Sequence, residues 1–259
     1  MRPSRSSDSK LVRTLMIVCL VLAAASCTGQ RPKLASEAEP IADETSTTAA
    51  VVAPSTTQAA EATGDEIDVY DAAASAAPTR SITADEATAA PDIPITFLVK
   101  GRSGDRLEVY LPVAPPGSTG WIRVADVSVS TVDTRVEISL SGHWLRVYQL
   151  GEVILDEPVA VGTGGDAPDA GATYYLKELL QPPDPSGPYG TYAYGLSGST
   201  TSLTSFRSGE GIVGIHGTDD ESSIGEDVDT GSIALADDVL DRLVNDIGLP
   251  LGTPVDIRR

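Results

Sequence analysis

"VEISLSGHWLRVYQLGEVILDEPVAVGTGG", residues 136–165, decides the fold. Apolar and polar residues take turns along it, and the runs are parted by Ser141-Gly142 and by Leu150-Gly151. Alternation of period two, broken by short Gly-containing turns, is the mark of strands with one face buried. The stretch is expected to fold as strand, hairpin, strand and strand.

Outward from it, helix is scarce. Only "ADDVLDRLVNDIG" (236–248) has the 3.6-residue period, with Val239, Leu240, Leu243, Val244 and Ile247 on one face. Asp237 and Asp238 stand favourably at its N-terminal dipole, and Gly248 is its stop. "LGTPVDIRR" (251–259) closes the chain as a last strand. On the other side, "ITFLVKGRSGDRLEVYLPVAPPGSTGWIRVADVSV" (95–129) alternates short apolar runs with Gly, Pro and Asp turns, most cleanly at Leu107, Val109 and Leu111. A small β-barrel is expected over 93–130, with Trp121 anchoring its core beside Phe97, Leu107 and Val109. The fold class is therefore mostly β, with one helix in the C-terminal region.

Residues 27–92 read differently. They are Ala, Thr, Ser, Glu, Asp and Pro with a single aromatic, Tyr70, and too little apolar surface to offset the entropy of ordering. A disordered tether is expected, spanning roughly 45 Å between its ends as a random coil.

The start of the chain sets the compartment. Arg2, Arg5, Lys10 and Arg13 precede "LMIVCLVLAAAS" (15–26), an apolar run of secretory length that is too short to span a bilayer. It stops at "AASC" (24–27), which resembles a lipoprotein cleavage box. Residues 1–26 are then a lipoprotein signal peptide, and Cys27 carries the lipid that tethers the protein to the outer face of the cytoplasmic membrane, in the wall or periplasmic space. The alternative is an ordinary signal peptide cut after Ala25 or Ser26. The remaining cysteine, Cys19, lies in the removed segment, so the mature protein has no free thiol for a disulfide, a zinc site or a nucleophile. A formal net charge of -19 argues against nucleic acid as a partner.

The motifs that carry chemistry are few. "VGTGGDAPDAG" (161–171) lacks the third glycine of a dinucleotide loop and the helix that should follow it. "TDDESSIGEDVD" (218–229) is rich in carboxylates but lacks the calcium-loop order, so neither a metal nor a cofactor is expected. His143 sits in a turn where the sequence supplies no partner. His216 ends the apolar run "GIVGIHGT" (211–218), next to Gly217, where a side chain can be held at the edge of a site.

Together these pieces resemble the L,D-transpeptidase (YkuD-like) domain, over about 132–259. "VEISLSGHWLRVYQLGEVILDEPVAVGTG" looks like its opening strands, "PDAGATYYL" (168–176) like its P-x-x-G-x-[FY] strand, and "GIHGT" with "SSIG" like its histidine strip. The segment around "GSTGWIRVADV" (117–127) resembles bacterial Src-homology-3-like barrels that accompany wall enzymes. The resemblance implies a β-sandwich and an acyl transfer between peptidoglycan stem peptides.

It also exposes a departure. The family's S-H-G-C-[IV]-R strip is "DTGSIA" (229–234) here. Ser232 stands where the nucleophilic Cys would, Thr230 where the neighbouring His would, and Ala234 where the Arg would. Gly231 and Ile233 remain, and His216 matches the upstream base. A hydroxyl must lose its proton to a well-placed base as it attacks, whereas a thiol is already partly ionised. The expectation is an envelope lipoprotein with a degenerate site that binds peptidoglycan stem peptides or an envelope protein. Two alternatives stand beside it: a residual serine acyl transferase or hydrolase using Ser232, His216 and the Gly231 and Ser232 amides, and an inert spacer.

Overall fold

The computed structural model describes residues 55–89, 92–164, 167–198, 214–229 and 231–259. The leader, Cys27 and Thr230 lie outside them.

The decisive stretch folds as expected. β8 (Thr134–Ser139), β9 (Trp144–Gln149), β10 (Glu152–Pro158) and β11 (Ala160–Gly162) follow one another, with β8, β9 and β10 paired antiparallel in sequence. The chain then adds β12 (Thr173–Leu180), β13 (Ala193–Leu196), β14 (Gly214–His216), β15 (Asp227–Val228), β16 (Ile233–Ala234) and β17 (Pro254–Arg258). The sheet order is β10-β9-β8-β17-β12-β13-β14-β16-β11-β15. Val147 of β9 and Val161 of β11, from opposite ends of that order, share one core with Leu176, Tyr194, Ile215 and Ile233. The sheet must therefore curl into two layers around its apolar face, which is the expected sandwich. The helix runs Asp237–Asp241 and widens into a π-type turn over Arg242–Ile247, with Gly248 closing it at φ 65°. Val239, Leu240 and Leu243 are its buried contribution.

The expectation for 27–92 is corrected wherever the structure describes that segment. β1 (Thr57–Ala62), β2 (Glu66–Val69), β3 (Arg80–Thr83) and a single turn, α1 (Ala84–Ala87), all lie inside it. β1 is interior to a five-stranded sheet, between β4 (Thr96–Ser103) and β7 (Val127–Val132), with β5 (Arg106–Tyr110) and β6 (Thr119–Arg123) beyond β4. The unit cannot begin at Ile93, because the sheet would lose a central strand. The physical reason is size. Ala60 and Ala62 are buried against Phe97 and Leu107, and alanines fill a thin core without giving a hydrophobic run in sequence.

Trp121 is also corrected. β6 turns Gly120 and Ile122 inward, Ile122 being fully buried, and leaves Trp121 half-buried on the other face, bridged to Tyr70. The Tyr70 hydroxyphenyl ring lies under Arg106, with the guanidinium 3.6 Å from its centroid. His143 likewise has a partner that the sequence hides: its Nε2 lies 2.9 Å from Asp227 Oδ1.

The two sheets meet along β12. Tyr175, fully buried, donates to the Thr96 carbonyl at 2.9 Å, and burial pushes its phenol well above its usual range. Gly252, at φ 87°, has no room for a side chain because Ala59 lies against it.

Candidate functional site

The site is set by the pairing of two short strands. β14 and β16 run parallel with Ile215 opposite Ile233 and His216 opposite Ala234. Ile215 and Ile233 point into the sandwich core, so His216 and Ala234 share the other face. Ser232, two residues before Ala234, sits in the bend that leads into β16. His216 follows Ile215 and Ser232 precedes Ile233, so the two border the same pair of facing isoleucines. His216 and Ser232 are both buried, at 6% and 2% exposure.

His216 is fixed in one tautomer. Its Nδ1 lies 2.6 Å from the Gly217 carbonyl oxygen, which can only accept, so Nδ1 carries the proton and Nε2 the lone pair. Burial lowers the imidazole pKa, and the carbonyl bond offsets this only in part. At neutral pH the ring is a neutral base. Tyr189 packs edge-on against it, with centroids 5.0 Å apart and planes at 76°.

The loop that brings Tyr189 is tied down by the helix. Asp237 accepts from the Thr191 amide at 3.0 Å and the Thr191 hydroxyl at 2.7 Å, and Gly217 donates its amide to the Tyr189 carbonyl at 3.1 Å. Gly190 (φ 64°) and Gly217 press against each other and against the Asp237 carboxylate, so a Cβ at either would collide with it. Sequence gave Asp237 only a dipole role and gave Tyr189, Gly190 and Thr191 none. The proline-rich loop before them carries no catalytic pattern that could have marked them.

Each expected position can now be placed. Gly231 is buried next to Ser232, whose carbonyl accepts from Gly162 at 2.8 Å. Ala234 presents a methyl opposite His216, where the family pattern would supply a guanidinium. Asp229 is exposed. Thr230 and Cys27 are outside the described residues. Among the described residues no three His, Cys, Asp or Glu side chains converge to hold a metal, and no helix is long and apolar enough to cross a membrane.

Residues 133–257 match the model of the YkuD L,D-transpeptidase catalytic domain. That segment belongs to the YkuD family. A search of curated proteins gives no match. Among solved structures, the L,D-transpeptidase from Xylanimonas cellulosilytica is 16% identical over 48% of this chain and 59% of its own, with a TM-score of 0.35. The catalytic domain of the Enterococcus faecium L,D-transpeptidase, solved acylated by ertapenem, is 21% identical over 48% of this chain and 95% of its own, with a TM-score of 0.36. Mycobacterium tuberculosis L,D-transpeptidase 1 is 15% identical over 54% and 78%, with a TM-score of 0.34. The chain spans less than two thirds of the Xylanimonas protein.

Proposed function

We propose that this YkuD domain binds peptidoglycan stem peptides beside His216 and Ser232, with its transferase chemistry weak or absent. The observation that carries the reading is the register of β14 and β16, which sets the Ala234 methyl directly opposite His216. Ala234 brings no positive charge there to receive a carboxylate of a stem peptide or to favour a developing oxyanion. The nucleophile position holds a hydroxyl, which needs a base to take its proton, and His216 is the base that the strip supplies. The test is sedimentation of purified protein with isolated sacculi, run beside an assay for D-Ala released from a disaccharide tetrapeptide. Co-sedimentation without release supports the reading, and failure to sediment sinks it.

The protein is exported and held at the outer face of the cytoplasmic membrane by lipid on Cys27. Labelled fatty acid should enter the wild type and not the Cys27→Ala variant.

A second reading rests on the Nδ1 bond to Gly217, which leaves Nε2 of a neutral imidazole ready to take a proton. In it Ser232 is an acyl-transfer nucleophile, with the Gly231 and Ser232 amides receiving the oxyanion. Release of D-Ala that is abolished by Ser232→Ala would establish it.

A further inference from the structure

A cavity of about 440 Å³ opens in the five-stranded sheet, where β1 begins between β4 and β7. Its volume falls in the range of roughly 300–1,000 Å³ usual for small-molecule sites. None of its lining residues belongs to the YkuD segment.

Strand pairing sets its make-up. Gln58 of β1 stands opposite Val99 of β4 and opposite Thr131 of β7, so one row across three strands offers an amide, an apolar side chain and a hydroxyl. A bulge between Val99 and Gly101 breaks the β4–β5 ladder at this point, and β4 adds Lys100 and Arg102 to the lining. Bulges gather at barrel rims and beside sites, where they re-aim side chains. Thr57 lines the cavity too, and its hydroxyl is buried with no partner among the described residues. An unmet buried hydroxyl in a cavity wall marks where a ligand or an ordered water belongs.

The charge here runs against that of the whole chain. Formal net charge is -19, yet no carboxylate lines this cavity. Of its two cations, Lys100 is already engaged: its Nζ lies 2.6 Å from Glu108 Oε1 and 6.0 Å from the centroid of the Tyr110 ring. Arg102 is braced but not neutralised. Its Nε donates to the Gly104 carbonyl at 3.1 Å, and it makes no ion pair among the described residues, so its two terminal nitrogens keep their donors for another partner. A divalent cation would find no anionic ligand here, and an apolar molecule only Val99. The lining matches a hydroxyl-rich molecule with one negative group. Amide and hydroxyl side chains both donate to and accept from hydroxyls, and a guanidinium fork takes a carboxylate or a phosphate through paired bonds.

We propose that this cavity is a second binding site, for a sugar or polyol that carries one carboxylate or phosphate. Arg102 receives the anionic group, and Gln58, Thr57 and Thr131 receive the hydroxyls. The site stands apart from the stem-peptide reading, since no residue of the His216 strip lines it.

The full-length protein is titrated with N-acetylmuramic acid, with glycerol 3-phosphate and, as the neutral control, with N-acetylglucosamine, while backbone amide shifts are followed by NMR. At least one of the two acids should move the amides of Gln58, Arg102 and Thr131 saturably, and preference between them separates a sugar acid from a polyol phosphate. The neutral sugar should bind about tenfold more weakly or worse. Arg102→Gln should bring the preferred acid down to that level, and added salt should weaken its binding to the wild type. Thr131→Val keeps the side-chain shape and should cost about threefold. Both side chains are exposed, so both variants should fold. No saturable shift at these amides with either acid overturns the site, and so does a neutral sugar that binds as well as the acids. Binding that Arg102→Gln leaves unchanged overturns it as well, or that Thr131→Val leaves unchanged should the arginine variant misfold. Each of these results leaves the stem-peptide reading as it was.

Discussion

His216 lies directly opposite Ala234 across the parallel β14–β16 ladder, and Ser232 stands two residues before Ala234 in the chain. The arrangement keeps a base and a hydroxyl near each other while removing the positive charge from the position that faces the imidazole. It leaves His216 as the group on which any remaining chemistry depends.

That histidine should titrate below the usual imidazole value near 6.5. Burial disfavours its charged form, so the unfolded chain takes up its proton first as pH falls. Its contribution to stability is intact above about pH 6.5 and is lost as pH drops towards the folded pKa. NMR titration of the Cε1 proton should give the lowered value, and the fall in Tm below pH 6.5 should be shallower in His216→Gln. A folded-state pKa above 6.5 would contradict the buried, singly bonded ring.

Asp237 is expected to matter through Thr191 and Tyr189, without touching anything that reacts. Asp237→Ala removes two bonds to a carboxylate and should cost about 2–3 kcal/mol, a Tm loss of roughly 5–10 °C. Gly190→Ala should be at least as damaging, because it adds a methyl against the Asp237 carboxylate at a positive φ. Thermal denaturation of the three proteins checks this. An Asp237→Ala protein with wild-type Tm would show that the loop is held by other contacts.

Much of the sandwich was legible because its signals are local. The alternation of β8 and β9, the 3.6-residue face of Val239, Leu240 and Leu243, and the stop at Gly248 each need only their own neighbours in sequence. The N-terminal strands were not legible, since Ala59, Ala60 and Ala62 carry little hydrophobic signal and become core only when β4 and β7 flank them. His216, Gly231, Ser232 and Ala234 are site positions proposed from a short strip of pattern. Tyr189 and Thr191 carry no such signal, because what they do depends on strands and loops that meet them from elsewhere in the chain.

Lys177 and Glu178, buried with ammonium and carboxylate 3.7 Å apart, should respond unequally to single and double substitution. Burial lowers the Lys177 pKa and raises that of Glu178, each opposed by the partner's charge. Lys177→Met leaves a buried carboxylate without its counter-ion and should destabilise by about 3–5 kcal/mol. Lys177→Met with Glu178→Gln removes both charges and should cost much less, since the glutamine carbonyl can still accept from the Ala89 amide, as the carboxylate does. Urea denaturation of both variants measures the difference. Equal losses would mean that the two side chains act independently.

The catalytic strip allows the most direct test of all. Carbapenems acylate a thiol in active members of the resembled family, and this protein presents Ser232 in its place, with Ala234 opposite His216. Intact-mass measurement after incubation with ertapenem should therefore show no adduct on the wild type. Ser232→Cys alone should gain little, because His216 would carry the whole of its activation with no neighbouring cation. Thr230→His, Ser232→Cys and Ala234→Arg together should restore at least slow acylation. An adduct on the wild type would establish Ser232 as a working nucleophile and overturn the binding-only reading. Silence from the triple variant would mean that the face bearing His216 no longer admits the ligand, and binding of stem peptides there would fall with it.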